Sequence, residues 1–216
     1  MVVAVVESPT LGEAWLDVSR AILESGTAAT WGALPTVELA RVTVVVERPD
    51  PADRLIAELG DPEWLEWMRA NFVDPADVPE LDHARSYAAR LFDYEGIDQI
   101  GWVVERLRAD PSARDAAITT FMPLTDTSYV PCVSLLDFWL PDGSVELVVY
   151  AHSLDFGKKA YGNLVELARL QRLVAEELGA PVGRLVVHVK SAHVYEEERE
   201  LMERLLATAP GKAPTS

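Results

Sequence analysis

The chain has a single cysteine, only four histidines and no run of apolar residues long enough to cross a bilayer, and its cations are far outnumbered by its anions. Each shortage excludes something. One cysteine, Cys132, leaves no internal disulfide framework, so a reducing cytoplasm is the expected compartment. No stretch approaches the roughly 20 apolar residues of a membrane span. The opening MVVAVVESPT has neither the basic region nor the length of a secretory signal. Nineteen Lys and Arg against 35 Asp and Glu give a formal charge of −16 over 216 residues. Such a chain repels polyanions at long range and gains little from counterion release, which argues against a nucleic acid polymer as partner. The histidines (His83, His152, His188, His193) lack ligand spacing for zinc, and His188 and His193, five apart on a strand pattern, point to opposite faces.

What is present is a chain of 49% hydrophobic content, enough to bury a substantial core. SPTLGEAWLDVSRAILESG places Leu11, Trp15, Val18 and Ile22 on one helical face, with Gly26 as its stop. TVELARVTVVVE reads as a strand. Asp50 and Pro51 predict the N-cap and first turn of a helix through Leu59. PEWLEWMRANF and DQIGWVVERLRAD predict two more helices, with a proline-bearing loop over 74–81 after the first and a halt at Pro111 after the second. Residues 116–121 predict a short strand, and Cys132–Leu140 with Val145–Ser153 a hairpin about the turn PDGS. NLVELARLQRLVAEELG is the clearest helix, closed by Gly179, with Asn163 a physically good N-cap. The strand RLVVHVKSAHVY and the charged helix EEERELMERLLATA follow. Strands and helices are mixed rather than strictly alternating, which predicts an α+β fold with a mixed β-sheet flanked by helices. One domain is expected over residues 1–208, with a disordered tail at 209–216.

With Asp142 and Gly143 centring the hairpin turn, paired residue numbers sum to about 285. Cys132 then lies across from Ser153, with His152 and Asp155 within two positions, in a register open to slippage. Free cysteine behaves by default as a small buried hydrophobe. Here a hydroxyl, an imidazole and a carboxylate surround it, and a nearby cation is what turns a thiol into a reactive thiolate. The residues leave both readings open, a structural thiol or a nucleophile.

From Asp98 to Tyr195 the chain resembles the thymidylate synthase superfamily, which includes the pyrimidine nucleotide hydroxymethylases. DQIGWVVERLRADPSARDAAITTF is similar to that family's DQ-led helix, Asn/Asp-Pro, arginine segment and following strand. VPCVSLLDFWL is similar to its Pro-Cys-His and aromatic strand. YAHSLDFGKKAYGNL resembles its Arg-Ser-x-Asp and the loop ending in Pro-Phe-Asn. SAHVYEEE matches its Asp-x-His-x-Tyr in histidine and tyrosine, with Ser191 at the aspartate position. Upstream, DRLIAELGDPEW and RSYAARL resemble its glutamate-bearing helix and tyrosine segment.

The resemblance implies a thymidylate synthase-like fold and a homodimer formed through its sheets. It implies one-carbon transfer to C5 of a pyrimidine nucleotide or nucleoside, with 5,10-methylenetetrahydrofolate as co-substrate. Cys132 would add at C6, which makes C5 an enolate-like carbon able to attack. Glu58 would organise water and proton transfer, Tyr87 would share its network, and Asp155 would accept from the pterin. Asn163, eight residues after Asp155, would read the O4/N3 edge of a uracil-like base. His193 and Tyr195, two apart on one strand face, would bond the sugar hydroxyl. Ser153, His152 and Arg114 would complete the substrate site, with Arg114 entering from the partner protomer.

The chain also departs from the family pattern. Asp115 and His152 stand where arginines are expected, and ESGTAATWG, the early loop, has none. An ion pair near 4 Å contributes roughly 4 kcal/mol before desolvation at an effective dielectric of about 20, so the missing arginines weaken any phosphate grip unless Lys158 and Lys159 substitute. Val133 replaces the family's histidine, and 21 residues follow Tyr195, fewer than the family's closing tail needs. Open access of water predicts hydroxymethylation in specialised metabolism rather than methylation. The alternatives are thymidylate synthase-type methylation, a catalytically silent pyrimidine-binding homologue and, last, a hydrolase built on Cys132, His152 and Asp155.

Overall fold

The structure is a computed structural model and describes residues 4–81, 83–127 and 129–209. Two long valine-rich strands organise it. β3 (Leu34–Val46) and β10 (Val182–Tyr195) run antiparallel, with Val42, Val44 and Val46 of one and Leu185, Val187 and Val189 of the other buried on a common face. This alternation is what a half-covered sheet requires of its strands. β1 (Ala4–Ser8) adds to β3 in parallel. β8 (Val145–Ala151) adds to β10 in parallel, and β7 (Val133–Trp139) and β6 (Ala116–Thr119) extend that side antiparallel. The order is β1-β3-β10-β8-β7-β6, with β2 (Thr27–Trp31) on β3 and β9 (Leu154–Asp155) on β10. The mixed sheet and the helices around it make the fold α+β, as the patterning predicts.

Helices cover one face. α1 (Leu11–Ser25) buries Leu11, Trp15, Val18 and Ile22, starts on a Thr10 cap and stops at Gly26. α6 (Ala160–Leu178) ends at Gly179, whose φ of 64° is the left-handed conformation that glycine adopts most cheaply. Its buried Gln171 donates to the carbonyls of Val145, Gly183 and Arg184, clamping the helix to β8 and β10. α5 (Gln99–Ala109) and α7 (Glu196–Thr208) fall where the periodicity puts them. α2 (Arg54–Leu59) is capped by Asp53 and not by Asp50, which instead accepts from Ala52 in the preceding turn. α3 (Pro62–Val73) is followed by a small hairpin, β4 (Asp77–Val78) and β5 (Ala84–Arg85), where only a loop was expected. α4 (Tyr87–Phe92), β1 and β2 are further elements that the patterning left unread; the stretch ESGTAATWG is mostly strand. Of the expected tail, residues 210–216 lie outside the described residues.

The hairpin register decides where the thiol goes. From Trp139↔Glu146 to Leu135↔Tyr150 the pair numbers sum to 285, as expected. Ser134 then bulges, so that Val133 pairs with Ala151 and the His152 amide donates to the Cys132 carbonyl at 3.0 Å. Cys132 therefore faces His152 and not Ser153, because one extra residue on β7 shifts the ladder by one. The Ser134 hydroxyl holds the bulge, donating to the Pro131 carbonyl at 3.3 Å and meeting His152 Nδ1 at 3.4 Å.

Beneath this segment lies a buried ion pair. Arg90 of α4 is 2% exposed, forks onto both Asp126 oxygens at 2.7 and 2.8 Å and also donates to the carbonyls of Arg85 and Thr120. Asp126→Ala leaves that guanidinium uncompensated, so urea unfolding is expected to show a loss of about 3–5 kcal/mol. A loss under about 1 kcal/mol would mean that the pair does not organise this region.

Candidate active site

Where the C-terminal ends of β8 and β10 open away from the sheet, a cavity of about 330 Å³ remains. That is within the range of small-ligand pockets. Its floor is Cys132 with the β8–β9 junction, His152 to Asp155. Asn163 and Lys159 reach it from the start of α6, His193 and Tyr195 from the end of β10, and Tyr87 from α4. Trp67, Met68 and Asn71 of α3, Leu81, Tyr129, Val130 and Trp31 complete the wall. Eight of the ten residues expected at the site are thus brought together.

Cys132 lies between buried Pro131 and Val133. Tyr87, stacked on Phe72 with centroids 4.5 Å apart, accepts from the Val133 amide at 3.0 Å and so anchors the chain beside the sulfur. Burial raises the Cys132 pKa above its ordinary value; Lys159 and a hydrogen bond from Tyr129 pull the other way without overcoming it. The resting group is a thiol. Burial also raises the Tyr87 hydroxyl, so it stays neutral.

Asn163 sits one turn into α6, and Lys159 is the N-cap residue in its place. The Asn163 side chain is almost fully buried, and its amide nitrogen donates to the Lys159 carbonyl at 3.1 Å. That leaves one N–H, and an Oδ1 that is buried without a partner. A buried unmet acceptor is costly unless a ligand satisfies it. A donor beside an acceptor matches the O4/N3–H edge of uracil. His193 repeats the pattern: Nδ1 meets Ser153 Oγ at 3.3 Å, while Nε2 is buried and unpaired. Burial holds both His193 and His152 below their ordinary values, hence neutral at pH 7. Tyr195 stands edge-on to the His193 ring, with centroids 5.1 Å apart.

Asp155 accepts the Gly157 and Lys158 amides on Oδ1, so it does close a turn, and it lines the cavity as well. Burial, and then the charge of nearby Glu198, push its pKa up to about 7. Glu198 comes from the first turn of α7, is itself buried and pairs with Lys158 at 3.1 Å.

Two expected residues are not brought in. Glu58 is on the outer side of α2, with its side chain 52% exposed and paired to Arg54 at 2.7 Å; it does not line the cavity. Arg114 is exposed in the turn before β6, also away from the cavity of its own chain. Val133 is 1% exposed in the core, so its replacement of histidine does not open the cavity. Cys132, His152 and Asp155 form no relay, since His152 Nδ1 turns to Ser134 and Asp155 to backbone amides. Sequence reasoning missed Asn71, although its i, i+4 spacing from Trp67 put a buried amide on an aromatic helix face; it missed Tyr129 and Trp31, which no periodicity marks. No cluster of metal-ligating side chains occurs among the described residues.

A thiol, an amide with one unpaired oxygen and an imidazole with one unpaired nitrogen thus line a single cavity. The comparisons with known proteins place the chain in a family. The thymidylate synthase family model matches residues 52–216. A Methanosarcina barkeri protein named "Putative thymidylate synthase" is 28% identical over 207 residues, 94% of each chain. A Methanosarcina mazei protein of the same name is 32% identical over 173 residues, 78% of each chain. The thymidylate synthase of Listeria monocytogenes is 29% identical over 122 residues, 56% of this chain and 39% of its own. The chain belongs to the thymidylate synthase family, whose chemistry is folate-dependent one-carbon transfer to C5 of a pyrimidine.

The raised pKa of Asp155 has a sign that can be checked. The folded state keeps a proton that the unfolded chain releases near pH 3.8, so as pH rises from there to about 7 this group progressively destabilises the fold. Asp155→Asn cannot ionise. Its melting temperature relative to wild type is expected to climb between pH 4 and pH 7 and level off above. A difference that stays flat across that range would show that Asp155 ionises at its ordinary value.

Proposed function

We propose that the protein transfers a one-carbon unit from 5,10-methylenetetrahydrofolate to C5 of a uracil-type nucleotide or nucleoside, with Cys132 as the nucleophile and the hydroxymethyl pyrimidine as product. The observation that carries this reading is the half-satisfied Asn163 amide on the cavity wall beside the thiol.

The ring would be held by Asn163 at O4 and N3–H, and by His193 and Tyr195 at the sugar. The thiol loses its proton as sulfur bonds to C6, and the C5=C6 pair moves onto C5 and O4, where the free Asn163 N–H stabilises it. Tyr129 and Lys159 favour the sulfur anion that must form. The folate supplies a carbon at the formaldehyde level. The Asp155 carboxylate and the aromatic wall at Trp67 suit the amide edge and flat face of its pterin. C5 would bond to that carbon, lose its proton and expel tetrahydrofolate, leaving an exocyclic methylene; water would add to the methylene, and the electron pair returned to C5 would expel the Cys132 sulfur and restore the C5=C6 bond. Water is favoured as the final acceptor because Trp31 and Val130 at the cavity wall are 65% and 38% exposed.

Methylation is the second reading, favoured by relatives named "Putative thymidylate synthase" that align over nearly their whole length. A silent binding homologue is favoured by the raised thiol pKa and by the absence of arginine from the cavity lining among the described residues. The homodimer belongs to this proposal too. The sheet face opposite the helices bears exposed Leu135, Tyr150 and Trp139, a surface suited to pairing with a second sheet. Among the described residues no helix is long and apolar enough to cross a membrane, and the single cysteine suits the cytoplasm.

Tritium release from C5-labelled UMP, dUMP, CMP, dCMP and their nucleosides, with and without folate, tests the chemistry. Uracil compounds are expected to exchange at least about tenfold faster than cytosine compounds, because the wrong edge leaves buried groups unpaired. Cys132→Ala is expected to abolish exchange with the fold intact; full activity in Cys132→Ser would remove the mechanism. Product mass separates the outcomes. A gain of CH₂O beside tetrahydrofolate supports hydroxymethylation, whereas CH₂ beside dihydrofolate makes the protein a methylating enzyme.

A further inference from the structure

Adjacent lysines at 158 and 159 have different surroundings. Lys158 stands 5.3 Å from the Trp64 centroid but is neutralised by Glu198 at 3.1 Å. The Lys159 ammonium lies between two indole rings, 5.0 Å from the centroid of Trp64 and 5.2 Å from that of Trp67, and has no carboxylate within 4.0 Å among the described residues. Lys159 lines the cavity, where with both histidines neutral it is the one cation among the described wall residues. An aromatic cradle holds an ammonium in place while leaving its donors unspent.

The backbone fixes what stands beside it. The Lys159 amide donates to the Asp155 carbonyl at 3.0 Å, and the Lys159 carbonyl accepts from both the backbone and side chain of Asn163 at 3.1 Å. Asp155, Lys159 and Asn163 are therefore linked by two successive turns that lead from β9 into α6. Only Oδ1 of Asp155 accepts hydrogen bonds, both from backbone amides, among the described residues. A carboxylate oxygen and an ammonium thus share one wall without bonding to each other. The complement of such a pair is a lactam edge, a carbonyl next to a ring N–H.

We infer that Lys159 is a specificity-determining residue for the one-carbon carrier, donating to the pterin carbonyl while Asp155 accepts from the adjacent ring N–H and Trp67 backs the ring. The inference rests on the folate reading proposed above and deepens it. A nucleotide phosphate is the less suitable partner for Lys159, because a dianion there would also meet Asp155 and, behind it, Glu198.

The test is equilibrium binding, by calorimetry at pH 8, of tetrahydrofolate to protein saturated with whichever of UMP or dUMP the wild type binds. Lys159→Met is expected to weaken tetrahydrofolate binding about tenfold to hundredfold, the scale of a lost hydrogen bond to a charged donor. Nucleotide affinity is expected to change less than about twofold. Lys159→Arg keeps a cation and donors, and is expected to restore tetrahydrofolate binding to within severalfold. Wild-type tetrahydrofolate affinity in Lys159→Met overturns the inference. So does a loss confined to phosphorylated nucleotides with nucleosides unaffected, which would make Lys159 the phosphate anchor. A parallel loss of both ligands together with a lowered melting temperature in both variants would reduce it to a structural residue. If the wild type binds nucleotide but no tetrahydrofolate, the folate reading itself fails and the inference falls with it.

Discussion

One backbone hydrogen bond, from the His152 amide to the Cys132 carbonyl, is made a residue out of step with the rest of the β7–β8 hairpin. The site depends on it. Without the Ser134 bulge, strict alternation would continue to the end of β7 and the thiol would face Ser153. With it, buried Pro131 and Val133 flank a half-buried cysteine on the cavity wall. The bulge also leaves the Val133 amide to the Tyr87 hydroxyl, tying α4 to the same point. The buried Arg90–Asp126 fork then holds α4 against the segment leading to Cys132.

Desolvation governs the electrostatics. It raises the thiol, the two tyrosines beside it and Asp155, and lowers both cavity histidines. Every one of these shifts favours the neutral form, and Asp155, at about 7, is the group in the cavity that ionises as pH passes neutrality. A chain of net charge −16 thereby keeps a site less negative than its outer surface. Neutral groups with unmet hydrogen bonds suit recognition of a heterocyclic base better than capture of a phosphate.

Long amphipathic elements were legible in the sequence because burial imposes their period. Leu11, Trp15, Val18 and Ile22 all face the core of α1, and Gly179 closes α6 in the left-handed conformation expected of it. Most of the site was legible through the spacing of Asp155, Asn163, His193 and Tyr195, which the family resemblance interprets. Local competition hid the rest. Asp50 and Asp53 both suit an N-cap, and only packing against Gly12, whose amide donates to Asp53 at 3.0 Å, decides for the second. The Ser134 bulge follows from no propensity, since the turn residues fix the register only near the turn. Glu58 matched by resemblance of a helix, but that helix turns the residue to solvent, where Arg54 is its partner. Trp64 and Trp67 meet Lys159 only in the folded chain, a contact 92 residues apart at its closer indole in sequence that no pattern predicts.

The central claim is that Cys132 bonds covalently to C6 of a pyrimidine held by Asn163. A 5-fluoropyrimidine nucleotide tests it most directly, because fluorine at C5 cannot leave as a cation and the adduct is trapped. Incubated with 5-fluoro-dUMP or 5-fluoro-UMP and 5,10-methylenetetrahydrofolate, then digested and weighed, the peptide containing Cys132 is expected to carry the mass of nucleotide plus carrier. An unmodified Cys132 peptide, under conditions where calorimetry shows both ligands bound, would contradict the account.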